Sequence, residues 1–197
     1  AEKTLTLSGT NSYTGGSQLE KGVLRGNSQS LQGDWALGED TQFEFEVTDA
    51  TTVSTFSGTL TGQGSLVKVG AGELNLSGGV ATHTGGTEIE DGTLLATTQS
   101  LTGNVAVNAG AEFEITQTIA STFGGDISGS GRVTKSGASE LTLAGINSFS
   151  GGLTVEEGNL RGNSNSIPGD VTLETANPNV RLIFNQDTAG THNGTIQ

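Results

Sequence analysis

Short runs in which apolar and polar residues alternate occur along the whole chain. Clear examples are Leu5-Thr-Leu7, Phe43-Glu-Phe-Glu-Val47, Val105-Ala-Val107 and Val171-Thr-Leu173. A period of two places every second side chain on the same face, so each run predicts a short strand with one buried face. Clusters of Gly, Asn and Ser separate the runs and supply turns. No stretch combines a helical period with paired caps, so the pattern predicts an all-β chain.

These runs belong to an internal repeat. The segment Leu5-Thr-Leu-Ser-Gly9 returns as Leu74-Asn-Leu-Ser-Gly78 and again as Leu141-Thr-Leu-Ala-Gly145. A Gly-Gly pair returns in nearly the same register, at Gly15-Gly16, Gly85-Gly86 and Gly151-Gly152. The sequence therefore divides into three copies, at about residues 4–72, 73–139 and 140–197.

The length of the repeat indicates how the strands are arranged. One third of about 67 residues is about 22, which suits a coil of three short strands and three turns. Coils of this kind stack at the spacing of parallel strands, about 4.8 Å. We therefore predict a right-handed parallel β-helix, with about three coils per repeat and residues 1–197 in a single domain. Equivalent residues of successive copies are expected three coils, or about 14 Å, apart.

Composition narrows the choice of fold and partners. Hydrophobic residues make up 31% of the chain and the net charge is −13, values that also occur in disordered proteins. The regular spacing of the apolar residues instead favours a narrow, continuous core. With 21 acidic and 8 basic residues the chain is not expected to bind nucleic acid. No apolar stretch approaches the roughly 20 residues of a spanning helix, so we expect no membrane insertion by this segment.

A longer motif connects the copies to a known family. Residues 64–78 read Gly-Ser-Leu-Val-Lys-Val-Gly-Ala-Gly-Glu-Leu-Asn-Leu-Ser-Gly, and residues 84–96 continue as Thr-Gly-Gly-Thr-Glu-Ile-Glu-Asp-Gly-Thr-Leu-Leu-Ala. Residues 131–163 repeat this scheme and residues 4–27 carry its second half. The scheme resembles the passenger-associated transport repeat of bacterial autotransporters. The second copy departs from it at Val80, Ala81 and His83, which puts the shape of one turn in doubt.

The resemblance implies a β-helical passenger segment exported across the outer membrane and displayed on the bacterial surface. Its implied partners are the rest of the passenger and a C-terminal β-barrel translocator outside this chain. The implied role is a stalk or scaffold, part of an adhesin, in which the repeat aids coil-by-coil folding during export. Because the sequence does not begin with Met, we expect it to be a piece of a longer protein.

Several residues are expected to be structural. The repeat turns are predicted at the glycine pairs and at two asparagines, a residue type that tolerates left-handed backbone conformations: Gly15, Gly16, Gly85, Gly86, Gly151, Gly152, Asn11 and Asn147. Trp35 aligns with Val105 and Val171 and is expected in the core. His83 occupies the position of Tyr13 and Phe149, and His192 that of Phe56 and Phe123, so both are predicted to fill ring positions.

Acidic residues also recur in register and form the one candidate surface feature. Each alternates with an apolar neighbour and is therefore expected to face water: Glu20, Glu90, Glu156, Glu44 and Glu114. One interpretation is a solvated face that discourages aggregation of stacked strands. The alternative is an acidic ladder that binds cations or a basic partner.

No catalytic, cofactor-binding or metal-binding residues are predicted, and the chain is not expected to be an enzyme. Lys68 matches Lys135 and Arg25 matches Arg161, so duplication accounts for half of the basic residues. Three alternatives remain open: an adhesin module for host glycan or protein, self-association, and a β-helical polysaccharide-degrading enzyme. The enzyme would need carboxylates beside a Lys or Arg on adjacent coils.

Overall fold

The structure, a computed structural model, describes residues 3–13 and 15–197. Within these residues the chain forms short strands and no helix. No helix in this part of the chain is therefore long and apolar enough to cross a membrane. The strands are β1 (Thr4–Thr6), β2 (Ser17–Leu19), β3 (Val23–Gly26), β4 (Trp35–Leu37), β5 (Gln42–Glu46), β6 (Val53–Thr55), β7 (Thr59–Gly62), β8 (Ser65–Val69), β9 (Glu73–Asn75), β10 (Val80–Ala81), β11 (Thr87–Ile89), β12 (Thr93–Ala96), β13 (Val105–Val107), β14 (Glu112–Thr116), β15 (Ser121–Phe123), β16 (Ile127–Gly129), β17 (Arg132–Ser136), β18 (Leu141–Leu143), β19 (Leu153–Val155), β20 (Asn159–Gly162), β21 (Val171–Leu173) and β22 (Arg181–Phe184).

The strands form four parallel sheets that run along the rod. Sheet I has the order β1-β3-β5-β8-β11-β13-β16, and sheet II has the order β6-β9-β12-β14-β17-β19-β21. Sheet III contains β2-β4-β7-β10, and sheet IV contains β15-β18-β20-β22. Strands β7 and β10 of sheet III and β15 of sheet IV each lie between a strand of sheet II and one of sheet I, so sheets III and IV occupy the same side in earlier and later coils. The predicted parallel β-solenoid is confirmed, with about nine turns.

One repeat occupies three coils and one further side of the rod. In sheet I, Leu5 pairs with Leu24, Leu24 with Phe43 and Phe43 with Leu66, which is three complete coils. The next copy of Leu5 is Leu74, and it lies one strand later, in sheet II. The first two of these coils are shorter than the predicted coil of about 22 residues, so three coils use less chain than one repeat contains.

Equivalent residues of successive copies therefore lie on different sides of the rod. Gly16 precedes a strand of sheet III, Gly86 a strand of sheet I and Gly152 a strand of sheet II. Equivalent residues are separated by three coils and one further side of the rod. The expected separation of three coils is therefore wrong. A feature that recurs once per repeat consequently winds around the rod.

The core is a single column of side chains between the sheets. Its aromatic residues follow one another along the early coils: the ring centroids of Trp35 and Phe43 are 5.3 Å apart, and those of Phe43 and Phe56 are 6.0 Å apart. Phe113 and Phe123 form the corresponding pair in the second copy, at 5.7 Å. The prediction that Trp35 belongs to the core is confirmed. Its indole also donates a hydrogen bond to the carbonyl of Gln32, at 3.2 Å.

Candidate functional site

The two glycines of each pair have different structural roles. The second one, at Gly16, Gly86 and Gly152, has φ values of 77°, 84° and 88°, a left-handed conformation that disfavours other residues. The first one allows two coils to approach each other. A Cβ added at Gly85 would lie 2.5 Å from the carbonyl oxygen of Gly64, and one at Gly151 would lie 2.2 Å from that of Gly131.

Gly15 differs from its two equivalents. Among the described residues, no atom outside its chain neighbours lies within 4 Å of a Cβ built at this position. Among the described residues, no preceding coil packs against Gly15. The requirement for glycine at this motif position thus comes from the coil below rather than from the local backbone.

The two asparagines link their corner to the following coil. The Nδ2 of Asn11 donates a hydrogen bond to the carbonyl of Ser30 at 2.8 Å, and that of Asn147 donates to the carbonyl of Ser166 at 2.6 Å. Asn147 also accepts a hydrogen bond from the backbone N–H of Ile127, on the coil before, at 2.7 Å. It therefore connects three successive coils.

The seryl corners that receive these bonds are built alike in both copies. The hydroxyl of Ser30 accepts a hydrogen bond from the N–H of Asn27 at 2.9 Å, and the hydroxyl of Ser166 accepts one from the N–H of Asn163 at 2.8 Å. Both serines are buried, and their hydroxyls find hydrogen-bond partners within the turn itself.

The five glutamates do not form one ladder. Glu20, Glu90 and Glu156 are exposed, but they follow strands of sheets III, I and II respectively, because each copy is rotated by one side. Glu44 lies in sheet I and Glu114 in sheet II. The hypothesis of a continuous acidic ladder along one side is wrong for these residues.

Glu44 also departs from the expectation that it faces water. It is 5% exposed, and the guanidinium of Arg25 on the preceding coil lies 2.6 Å from its carboxylate. The equivalent arginine of the third copy, Arg161, instead forms a bidentate pair with Glu140, at 2.8 and 3.2 Å. Arg25 and Arg161 thus each join two adjacent coils through an ion pair.

A group of glutamates lies on and beside sheet II. Glu112 and Glu114 of β14 accept hydrogen bonds from Thr134 and Ser136 of the next strand. Partial burial, and then the charges of these two glutamates, raise the pKa of Glu73 and of Glu156. No group of three or more His, Cys, Asp or Glu side chains that could hold a metal ion occurs among the described residues.

Two buried lysines are the features that the sequence interpretation missed. Lys68 and Lys135 are fully buried, although duplication alone was offered as their explanation. Lys68 donates hydrogen bonds from Nζ to the carbonyls of Val69, Gly70 and Asp91, at 3.2, 2.5 and 2.9 Å. Burial lowers the pKa of Lys68, and likewise that of Lys135, to about 8.

Both histidines fill aromatic positions, as predicted. His83 is 1% exposed; its Nε2 lies 3.0 Å from the carbonyl of Gly86 and 3.1 Å from the hydroxyl of Thr87. The carbonyl can only accept, so Nε2 carries the proton, and burial lowers the pKa of this imidazole. The His192 ring packs against Phe184 at 5.3 Å, as Phe56 packs against Phe45.

The surface has shallow grooves beside the glycine pairs. One groove of about 400 Å³ lies over sheet I next to Gly86 and has Thr87, Asn104 and Ala106 in its lining. An equivalent groove of about 510 Å³ lies next to Gly16, with Ser17, Asp34 and Ala36 in its lining. Because of the rotation between copies, the two grooves face different directions.

The family comparison matches the segments that build these corners. The passenger-associated-transport-repeat family matches residues 3–25, 66–96 and 133–161. The chain is a segment of an autotransporter passenger with these repeats. Chains of this class are exported and exposed at the cell surface. The three matches contain the glycine pairs at 15–16, 85–86 and 151–152 and both buried lysines.

One curated relative supports the same assignment. The chain is 37% identical to the adhesin BmaC autotransporter of Brucella suis biovar 1 (strain 1330), over an alignment that covers 67% of this chain and 4% of the relative. The chain thus spans only a small part of that protein's length. No solved structure matches the chain.

Proposed function

We propose that this chain is a non-enzymatic stalk segment of an adhesin passenger, and that its coils fold one upon the other during export. The observation that carries the proposal is the pairing pattern, in which each strand forms its ladder hydrogen bonds with strands of the preceding and following coils. Each completed coil offers an unpaired edge that templates the next coil. Folding that proceeds in this order can bias the chain toward outward movement.

The proposed partners lie outside this segment. The rest of the passenger would continue the rod at both ends, and a C-terminal translocator would deliver the chain across the outer membrane. The name of the Brucella relative supports the adhesin role. The scattered placement of the acidic and basic residues supports a structural role rather than a catalytic one, because arginines here pair with single glutamates between coils.

The test uses glycines with left-handed φ. We expect Gly16→Val, Gly86→Val and Gly152→Val, combined in the full-length protein, to stall folding and to reduce surface display, because valine is strained at positive φ. The matched control is Gly9→Val with Gly124→Val; neither has positive φ or a described neighbour within 4 Å of the added Cβ. Undiminished display of the triple variant would contradict the proposal.

A second candidate function is direct ligand binding in the grooves beside the glycine pairs. Their linings combine hydroxyl, amide and carboxylate groups with alanines, which suits polar ligands such as glycans. We expect Ala36→Trp with Ala106→Trp to fill both grooves and to abolish binding on a glycan array or to host surface proteins. Ala144→Trp, at an exposed position outside both linings, is the control. Equal binding by both variants would refute this candidate.

A further inference from the structure

Gln117 has a buried carboxamide without a hydrogen-bond partner. The residue follows β14, its side chain continues the inward-facing positions of that strand, and it is 0% exposed. Among the described residues, neither Nε2 nor Oε1 of this side chain has a partner. His83 and His192 each have one unpartnered ring nitrogen, but the other nitrogen of each ring is paired. Gln117 thus buries a whole polar group without compensation, which costs free energy in the folded state.

The equivalent residue of the first copy is apolar. The runs Phe43-Glu-Phe-Glu-Val47 and Phe113-Glu-Ile-Thr-Gln117 occupy the same place in their copies, and Val47 is also buried. The backbone makes the same hydrogen bond at both positions. Val47 donates its N–H to the carbonyl of Val69, and Gln117 donates to that of Ser136, both at 3.0 Å. One backbone site is therefore filled by a valine in one copy and by a glutamine in the other.

The following coil closes over each of these residues in the same way. Gly137 has a φ of 77°, and a Cβ added there would lie 2.4 Å from the carbonyl oxygen of Gln117. Gly70 has a φ of 81°, and its added Cβ would lie 2.4 Å from the carbonyl oxygen of Val47. The carboxamide of Gln117 is therefore shut off from water when the coil of β16–β18 stacks on the coil of β13–β15.

The buried lysine of the covering coil does not satisfy the carboxamide. Lys135 lies opposite Ile115, two residues before Gln117, and is also inside the rod. An ammonium has three hydrogens to donate. Lys135 directs its hydrogen bonds to three main-chain carbonyls, those of Ser136, Gly137 and Glu157. No hydrogen of this group is left for Oε1 of Gln117.

We propose that Gln117 divides the described rod into two cooperative units, because it weakens the stacking of the coil of β16–β18 on the coil of β13–β15. The stability of a solenoid is a sum over its coils and over the interfaces between neighbouring coils. One unfavourable interface allows the part beyond it to open separately. The first unit comprises residues 3–117 and the second unit comprises residues 121–197. When the second unit opens, the carboxamide of Gln117 regains contact with water.

Hydrogen exchange of the chain, followed by mass spectrometry at low urea concentrations, measures the opening of each unit. We expect the protection of the natural sequence to fall in one step between β14 and β17, the strands on either side of the boundary. Gln117→Met keeps the length of the side chain and removes its polar groups. It should slow exchange of residues 127–173 at least about tenfold and leave the exchange of residues 4–26, at the other end, unchanged. Gln63→Met, at an exposed position, should change neither region.

The reciprocal substitution moves the penalty to the first copy. Val47→Gln should place an unpartnered carboxamide beneath Gly70 and accelerate exchange of residues 23–46 at least about tenfold. Exchange of residues 127–173 should stay unchanged, because opening of the second unit does not break the interface beneath Gly70. Equal exchange of residues 23–46 in Val47→Gln and in the natural sequence would contradict the proposal.

Two further results would overturn it. The first is exchange of residues 127–173 that is as fast or faster in Gln117→Met and in Gln117→Val, or failure of both variants to fold, because the carboxamide would then be satisfied in the folded state. The second is uniform protection across β14 and β17 in the natural sequence, because a single unit would then span the boundary. The proposed role in export is tested separately by surface display.

Discussion

The first glycine of the Gly-Gly pair offers a test in which one motif position has two expected outcomes. We predict that, in residues 1–197 as an isolated chain, Gly151→Ala destabilises the fold, whereas Gly15→Ala does not. A Cβ at Gly151 would lie 2.2 Å from the carbonyl oxygen of Gly131, and a Cβ at Gly15 has no described neighbour within 4 Å. None of the three first glycines has a positive φ, so backbone strain does not confound the comparison.

The magnitude follows from how far the neighbouring coil must move. Non-bonded heavy atoms are comfortable at about 3.5 Å, so the carbonyl must retreat by about 1.3 Å while ladder hydrogen bonds hold its strand. Overpacking of this kind costs about 1–3 kcal/mol. In a domain of this size, that corresponds to a decrease in Tm of roughly 2–12 °C. Gly85→Ala, with its Cβ 2.5 Å from Gly64, should behave in the same way.

Thermal unfolding followed by circular dichroism measures the effect, and hydrogen exchange locates it. Exchange should accelerate around residues 129–133 and 150–153 for Gly151→Ala. Gly15→Ala should keep the wild-type Tm or raise it slightly, because alanine restricts the unfolded chain. Equal decreases for Gly15→Ala and Gly151→Ala would refute the reasoning, since they would place the glycine requirement in the local turn.

Three further predictions concern Asn147, His83 and the two buried lysines. Asn147→Ala should cost about 1–3 kcal/mol in urea unfolding, because the Ile127 N–H and the Ser166 carbonyl lose their partner. An unchanged free energy of unfolding would contradict this. Burial lowers the folded pKa of His83, so its contribution to stability is complete above the unfolded pKa and is lost as pH falls. His83→Phe should therefore flatten the decline of Tm between about pH 7 and 5, and parallel profiles for the two proteins would count against it. The pKa of Lys68 and of Lys135 is about 8 in the folded protein, and the ordinary value is 10.5. Between these two pH values the unfolded state binds more protons than the folded state, so the free energy of unfolding should rise with pH. The free energy of unfolding should rise by up to about 1.4 kcal/mol per pH unit for each lysine, relative to the Lys68→Met, Lys135→Met double variant. If the two proteins show the same pH dependence, the ammoniums are not desolvated.

Much of the fold follows directly from the sequence. Alternation at Leu5-Thr-Leu7 and Val105-Ala-Val107 depends on strand geometry alone, and recurrence of the glycine pairs reveals the coils. Trp35 was correctly predicted in the core because its equivalents are valines. The alternation is a local signal, and the glycine pairs and Trp35 are recognised by comparing one copy with another. Neither kind of signal depends on the number of residues in a coil.

The rotation between copies could not be predicted in the same way. It depends on the lengths of the individual coils, which are unequal and are set by how tightly each corner turns rather than by the apolar pattern. The acidic ladder was wrong for this reason, since Glu20, Glu90 and Glu156 recur in sequence but not along one side. Glu44 was misplaced because its partner, Arg25, lies on another coil.

The buried lysines left a signal that was available in the sequence. Lys68 follows Leu66 by two positions, and Lys135 follows Val133 by two positions, so the alternation places both lysines inward. The carbonyl partners Asp91 and Glu157 could not be inferred, because they belong to corners a full coil further along the chain.

Cross-strand contacts measured by NMR test the central claim most directly. The account predicts contacts along sheet I between Leu5 and Leu24, Leu24 and Phe43, and Phe43 and Leu66, with Leu74 contacting Leu94 in sheet II instead. A ladder that advances by a constant third of the repeat, and so places Leu5 and Leu74 on one side of the rod, would contradict it.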